Sequence, residues 1–307
     1  MADRENIDAQ LTTRMRGGYI PTMRRRQLPV IDDEMRRQLD TLVASTDARA
    51  RLDADPLGLV RALGSRADRE VGGLIAATLA FGNVVAIRRS ITRVYDALDG
   101  APAHAADTLG EVELKRRLRS FVHRVYRGEH VARMLARAGK LRAEHGTLGD
   151  AFAACMDQDT TAGLVRGLSR WAEALRGPSP ARGLAHLLPD PDKGSASKRL
   201  FLYLRWMVRR DDGVDLGLWP VSPRLLVIPV DTHVHRIARN LGLTRRNDAS
   251  LKTALEITDA LRRLDPRDPV RYDFALCHLG VSRECPSRRD PDKCARCTVQ
   301  TVCTRWR

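Results

Sequence analysis

Four cysteines crowd into the last 23 residues of this 307-residue chain. They are Cys285, Cys294, Cys297 and Cys303, and they form the pattern C-x8-C-x2-C-x5-C. The inner C-x2-C pair bends two thiolates onto one ion or one cluster edge, and the outer pair closes a small loop. Four thiolates suit either a structural zinc or an iron–sulfur cluster, and spacing alone does not choose between them. The sequence therefore predicts a metal-bound loop at residues 285–303.

The remaining cysteines, Cys155 and Cys277, stand apart from this group, so the six do not form a disulfide framework. The N-terminus is too polar for a signal peptide, and no apolar run approaches the roughly 20 residues that span a bilayer. These features predict a cytoplasmic protein that does not associate with a membrane.

Lysine and arginine outnumber aspartate and glutamate by 53 to 38, which gives a net charge of +15. Such an excess favours a polyanionic partner through long-range attraction and counterion release. An arginine-rich coding composition would give the same excess, so charge alone leaves nucleic-acid binding open. Residues 1–32 look like a basic arm, with arginines clustered among glycine and proline.

Helical periodicity begins at Asp33. Apolar residues at i, i+3, i+4, i+7 and i+8 mark the buried faces of helices. Four such faces lie at Val71–Leu79, Leu200–Val208, Val234–Leu241 and Leu251–Thr258. Strand signals are nearly absent, and the apolar run Leu225–Val230 is interpreted as an extended lead-in. The sequence predicts an all-α fold of about ten helices.

That apolar run leads directly into a periodic helix, and Asp231 stands where the N-cap belongs. Its carboxylate is expected to accept the first helical N–H groups. A capping role does not exclude a catalytic role for Asp231, because a carboxylate fixed near a DNA groove could stabilise a cationic sugar transition state. His233 and His235 follow, and they suit packing or phosphate contacts better than metal ligation.

Asp231 lies in a V-D-T-H-V-H-R segment that precedes more helix and the four-cysteine loop. This order, from Arg69 to Cys303, resembles the helix-hairpin-helix DNA glycosylase superfamily, with endonuclease III as the nearest well-known branch. The endonuclease III pattern is C-x6-C-x2-C-x5-C, so only the first gap differs. The resemblance therefore implies a 4Fe–4S cluster instead of zinc. More narrowly, the chain resembles a bacterial subgroup of the superfamily whose function is unassigned.

Bifunctional members of the superfamily place a catalytic lysine at the end of the hairpin motif L-P-G-V-G-x-K. Here Gly194-Ser195-Ala196-Ser197-Lys198 matches the last five positions in length and in the closing lysine. The resemblance implies that Lys198 is the nucleophile. It also implies that Gly194, Ser195 and Ser197 contact a phosphate at a helix start.

The hairpin departs from the family pattern in two ways. Ala196 replaces the second glycine, and a longer turn places Asp190 and Asp192 near the expected phosphate site. Lys198 and Asp231 lie 33 residues apart, a wider gap than in endonuclease III. Archaeal 8-oxoguanine glycosylases of the superfamily also have a long gap, so the pairing of this lysine with this aspartate remains acceptable.

Other DNA contacts are expected around this pair. Asn83 follows the first barrel helix, where family members place residues that fill the gap left by a flipped base, although it could equally belong to a helix stop beside Gly82. Trp219, in an inserted loop, is expected to stack on the extruded base, whereas Trp206 fits the core. Further DNA contacts are predicted for His233, Arg288, Arg289 and Lys293.

These inferences predict two helical lobes of the glycosylase type with a basic cleft between them. One is a barrel lobe at 60–215, and the other combines 33–59 with 216–307. The expected function is that of a monomeric, nucleoid-associated glycosylase that removes a damaged base from double-stranded DNA, with or without AP-lyase activity. The alternatives are a non-catalytic protein that binds DNA lesions or DNA structures, and a zinc-stapled nucleic-acid adaptor.

Overall fold

The computed structural model describes residues 31–210 and 212–306, so nearly all of the expected basic arm lies outside the described residues. The described chain is mostly helical, which confirms the all-α prediction, but the described residues form sixteen α-helices instead of about ten because several short helices have no periodic face. The helices are α1 (Asp33–Ser45), α2 (Ala48–Leu52), α3 (Pro56–Arg61), α4 (Arg66–Leu79), α5 (Val84–Ala97), α6 (Pro102–Thr108), α7 (Glu111–Arg117), α8 (Gly128–His145), α9 (Leu148–Cys155), α10 (Thr161–Arg176), α11 (Arg182–Leu187), α12 (Lys198–Val208), α13 (Thr232–Asn240), α14 (Leu251–Leu264), α15 (Asp273–Val281) and α16 (Pro291–Ala295). None of these described helices is long and apolar enough to cross a bilayer.

Two very short strands form a hairpin before α8. Strand β1 (Val122–His123) pairs antiparallel with β2 (Tyr126–Arg127). The apolar run Leu225–Val230 is buried but belongs to no strand, because it follows a 3-10 turn and leads in extended form to α13. The near absence of strands was therefore correctly predicted for the described residues.

Polar caps fix where several of the longer helices begin. The side chains of Ser65, Thr160 and Ser250 each accept a backbone N–H from the first turn of α4, α10 and α14. An oxygen acceptor at this position satisfies one of the N–H groups that a helix start leaves free. Gly242, with φ +72°, follows the end of α13, as its sequence position predicts.

Helix α4 lies at the centre of the packing, against α3, α5, α6 and α12. Its residues from Glu70 to Leu79 are all buried. Gly73 permits the close approach of α12, since a Cβ there would lie 2.5 Å from the methyl carbon of Met207. The register between α4 and α12 is therefore fixed by direct contact.

The buried apolar side chains form one continuous cluster that extends from α1 to the segment after α16. Helix α1 packs on α14 and α15, near the C-terminus, whereas α3 packs on α4 and α5. The N-terminal part of the described chain thus contacts both the central helices and the C-terminal ones.

A buried network of charged side chains holds the C-terminal half of α12. Arg205 binds Asp215 at 3.2 Å and Asp273 at 2.5 Å, and Arg209 binds Asp215 and, at 2.9 Å, Asp268. Burial raises the pKa of Asp215, and the two arginines oppose that rise. The network joins α12 to α15 and to the loops at Asp215 and Asp268.

Removing one member of this network should lower the free energy of unfolding substantially. Asp215→Ala leaves two buried arginines short of a partner, and we expect a loss of about 3–5 kcal/mol in the free energy of unfolding, measured by urea titration. Glu111→Ala is the control, because Glu111 forms an exposed pair with Lys115 and should cost less than about 1 kcal/mol. Equal, small losses in both variants would show that the network does not hold the fold.

Candidate active site

Two helix starts bring Lys198 and Asp231 together. Lys198 is the first residue of α12, and Asp231 is the N-cap of α13. The Lys198 Nζ lies 3.6 Å from the Asp231 Oδ2, with the two side chains 29% and 21% exposed. The pair is therefore an ion pair that solvent and a ligand can still reach, although 33 residues separate its members in the sequence.

The backbone holds the carboxylate of Asp231 by one of its two oxygens. Its Oδ1 accepts the backbone N–H groups of His233 and Val234, both at 2.9 Å. This confirms the N-cap that the sequence predicts, and the positive end of the helix dipole stabilises the negative charge there. The Oδ2 is left free to face Lys198 and any bound molecule.

The backbone before Lys198 is strained. Ser197 has φ +40° and ψ +37°, a left-handed conformation that costs free energy for a residue with a Cβ. Its side chain is only 3% exposed, and its hydroxyl has no hydrogen-bond partner among the described residues. The Ser197 side chain points into the protein, so the expected phosphate contact of this residue is left to its backbone, whose N–H donates to the Ser195 hydroxyl at 3.2 Å.

Arg199 anchors the first turn of α12 from the inside. Its guanidinium donates to the Thr78 carbonyl at 3.0 Å, and it also contacts the Tyr126 hydroxyl and the His186 carbonyl. Arg199 is thus buried against the end of α4, the β2 strand and α11. Because Arg199 is fixed in this way and consecutive helix residues lie about 100° apart, its neighbour Lys198 leaves the helix in a different, defined direction.

Helix α15 contributes two residues to the site that the sequence reading did not identify. The Cys277 Sγ lies 4.0 Å from the Asp231 Oδ2. Asp273, one turn earlier, is buried and paired with Arg205. Burial raises the pKa of Asp273, and the negative charge of Asp231 adds to the rise. The only sequence signal was the four-residue spacing of Asp273 and Cys277 on one helix face.

The hairpin turn between α11 and α12 is tied to the start of α14. The Gly194 carbonyl accepts the N–H of Leu251 at 3.0 Å, and Ser195 forms a bridge with Ser250. Gly194 has φ +83°, which a glycine adopts without strain. Gly194 and Ser195 are both exposed, so this part of the turn is accessible to a ligand.

The acidic insertion in the hairpin is partly neutralised inside the protein. The carboxylate of Asp190 accepts the hydroxyl of Ser169 and the backbone N–H of Asp192. It also lies 3.9 Å from Arg176 and 3.7 Å from Lys193. Its negative charge is therefore compensated, and among these two acids only Asp192 is exposed near the expected phosphate site.

The structure leaves Asn83 accessible to DNA, as expected, but buries Trp219. Asn83 is exposed, but it begins α5 as the N-cap instead of ending α4, and its side-chain oxygen accepts N–H groups from Val85 and Ala86. The prediction that Trp219 stacks on an extruded base is wrong. The ring of Trp219 is 4% exposed and packs in the core against Phe152, Trp171 and Tyr203. Trp206 is buried, as expected.

The four C-terminal cysteines line one cavity beside the end of α13. All four are free thiols and half-buried, and the Asn240 amide lies 3.9 Å from the Cys285 Sγ. Burial and the neighbouring thiols raise the pKa of Cys285 and of Cys297. As they stand, no three His, Cys, Asp or Glu side chains of residues 31–210 and 212–306 are arranged to hold a metal ion.

The basic residues of this loop lie on the surface. Arg288, Arg289 and Lys293 are exposed, and the Arg289 guanidinium stacks 4.7 Å from the centre of the Trp306 ring. His233 is half-buried, and its Nδ1 has no partner among the described residues. The Lys293 amine also donates to the Arg283 carbonyl at 3.4 Å. All three cations are accessible to an anion from solvent, whereas His233 offers less surface.

Mutation can distinguish the two roles of Asp231, namely the helix cap formed by its Oδ1 and the charge that its Oδ2 presents to Lys198. Asp231→Ala removes the acceptor at the start of α13, and we expect it to lower the free energy of unfolding by about 1 kcal/mol. Asp231→Asn retains a capping oxygen and should stay within about 0.5 kcal/mol of the wild type in urea titrations. A loss as large in Asp231→Asn as in Asp231→Ala would contradict the capping geometry.

Comparison with known proteins identifies one family model that matches the chain. The family model described as "Protein of unknown function (DUF2400)" matches residues 55–282. The matched segment includes Lys198, Asp231 and Cys277 and ends before Cys285. No curated protein matches the chain. Because the match covers most of the sequence, this protein belongs to the DUF2400 family.

Proposed function

We propose that this protein is a DNA glycosylase of the helix-hairpin-helix type that removes a damaged base from duplex DNA. The observation that carries the proposal is the 3.6 Å approach of the Lys198 Nζ to the Asp231 Oδ2. In sequence, Lys198 and Asp231 resemble the catalytic pair of the helix-hairpin-helix glycosylases. They lie 33 residues apart along the chain. In this proposal the two-lobed glycosylase arrangement surrounds the pair, with α12 on one side and α13 on the other.

Asp231 would act on the sugar. Cleavage of the bond between base and sugar builds positive charge on the sugar ring, and a carboxylate close to that ring stabilises the charge. The Oδ1 is occupied by two backbone N–H groups, so Oδ2 is the oxygen available for this task. A preorganised charge needs little rearrangement when the transition state forms.

Lys198 would form the covalent bond. Its amine must lose a proton before it attacks the sugar C1′, and the Lys198 side chain is 29% exposed, so solvent takes that proton while Asp231 keeps its charge. The base departs with the electrons of the broken bond and takes a proton from solvent, which leaves the lysine nitrogen bonded to C1′. The C1′–O4′ bond then breaks as the nitrogen loses a proton and O4′ gains one, and the resulting Schiff base permits strand cleavage by β-elimination. If a water molecule attacked instead, the enzyme would release the base without cutting the strand.

The net charge of +15 and the exposed hairpin support DNA as the partner. Gly194 and Ser195 present backbone near the start of α12, where free N–H groups and the helix dipole favour a phosphate. Arg288, Arg289 and Lys293 provide a second set of expected phosphate contacts. Asn83 would contact the DNA with the part of its side chain that does not cap α5.

We further propose a 4Fe–4S cluster at Cys285, Cys294, Cys297 and Cys303. The four side chains line one cavity, and the similarity of their spacing to that of endonuclease III favours a cluster over a single zinc ion. The same cavity is lined by Ile237, Asn240 and Leu241 from the end of α13. The cluster would therefore brace the helix that Asp231 caps.

Base release tests the proposed function directly. Wild-type protein should release free base from at least one of a panel of duplexes that carry oxidised, alkylated or deaminated bases. Asp231→Asn should lower the single-turnover rate about 100-fold or more, because it removes the stabilising charge, while duplex affinity measured by fluorescence anisotropy is retained. Asp259→Asn, an exposed carboxylate on α14, is the matched control and should behave as wild type.

A second function, non-catalytic binding of DNA lesions, is favoured by the altered hairpin with its exposed Asp192. Preferential binding of one lesion duplex without base release from any of them would replace the glycosylase proposal with this one.

Metal analysis tests the cluster. Protein purified without oxygen should be brown and contain about four irons per chain. Cys294→Ala should lose the iron and the colour, whereas Cys155→Ala should keep both, because Cys155 is a half-buried cysteine at the end of α9, outside the loop. A colourless protein with one zinc per chain would contradict the cluster and support the zinc-stapled adaptor.

A further inference from the structure

The free oxygen of Asp231 has two neighbours of different chemistry. The Lys198 Nζ lies 3.6 Å away and the Cys277 Sγ lies 4.0 Å away. The other oxygen, Oδ1, already accepts two backbone N–H groups. Both oxygens of one carboxylate are thus in contact with donors from three separate parts of the chain.

Cys277 can only be the donor in this contact. Burial raises the pKa of its thiol far above the ordinary range, and the negative charge of Asp231 raises it further. Burial thus disfavours the thiolate, which is the form in which a cysteine acts as a nucleophile. The S–H group is a donor and a carboxylate oxygen is an acceptor, so the contact at 4.0 Å runs from the sulfur to the Asp231 oxygen.

The place of Cys277 is fixed by the buried charges behind it. Asp273 lies one turn earlier on α15 and is held at 2.5 Å by Arg205 of α12. Helix α15 also packs along α13, which Asp231 caps. The thiol is therefore held in position relative to both members of the Lys198–Asp231 pair.

We propose that Cys277 is a positioning residue that donates its S–H to Asp231 Oδ2 and fixes the orientation of that oxygen. Two backbone donors on one oxygen and a thiol on the other oppose rotation of the carboxylate. A thiol is a weak donor, so it orients the oxygen while leaving most of its charge available to a cationic sugar. The effect of Cys277 on catalysis rests on the proposed glycosylase function. The hydrogen bond between Cys277 and Asp231 does not depend on that function.

Infrared spectroscopy of the S–H stretch tests the bond without any substrate. The difference between wild type and Cys277→Ala isolates the band of Cys277, and hydrogen bonding shifts this band to lower frequency. The same difference in an Asp231→Ala background should place the band at higher frequency, as for a free thiol. The band of Cys155, isolated in the same way, should not move. An identical Cys277 band with and without Asp231 would overturn the proposal.

Base release then tests the positioning role. Cys277→Ala should lower the single-turnover rate roughly fivefold, the loss expected for one weak hydrogen bond, and Cys277→Ser should be faster than Cys277→Ala because it restores a donor. A shifted infrared band with unchanged base release in Cys277→Ala would refute positioning. If wild type releases no base from any duplex, the proposed function fails, and the infrared result still decides whether the thiol binds the carboxylate.

Discussion

The arrangement of helices around the candidate site depends on the ion pairs of the buried Arg205 guanidinium. It joins α12 to Asp215 in the loop after that helix and to Asp273 at the start of α15. A charge so deeply buried is stable only while its partners remain in place, so the three segments have little freedom to shift relative to one another. Because α12 begins with Lys198 and α15 carries Cys277, the same constraint positions the candidate site at the other end of α12.

The site itself is built from helix starts. A helix start provides free N–H groups and a positive dipole end, and Asp231 uses both to hold one of its oxygens. Lys198 emerges from a strained turn at Ser197 that Arg199 secures from the inside. The strain at Ser197 is of the kind found at functional sites, where surrounding contacts offset its cost. The structure therefore presents a charged pair whose orientation is set before any ligand binds.

Much of this could be predicted from the sequence, because local rules decide it. The periodic faces of α4, α12, α13 and α14, the cap at Asp231 and the stop at Gly242 follow from side-chain spacing and backbone chemistry. The burial of Trp219 was not predicted and the place of Cys277 beside Asp231 was not foreseen, because the surroundings of both residues come from distant segments. Trp219 is buried by α9, α10 and α12, and Cys277 meets Asp231 across 46 residues. One sequence alone does not reveal such contacts.

If Lys198 attacks the sugar as proposed, borohydride should trap the covalent intermediate. Wild-type protein should be incubated with abasic and damaged duplexes, reduced with borohydride and digested for mass spectrometry. We expect a DNA adduct on the peptide that contains Lys198, absent in Lys198→Ala and retained in Lys193→Ala, since Lys193 is an exposed lysine of the same turn. The absence of an adduct on every duplex, or an adduct on another lysine, would contradict the proposed role of Lys198.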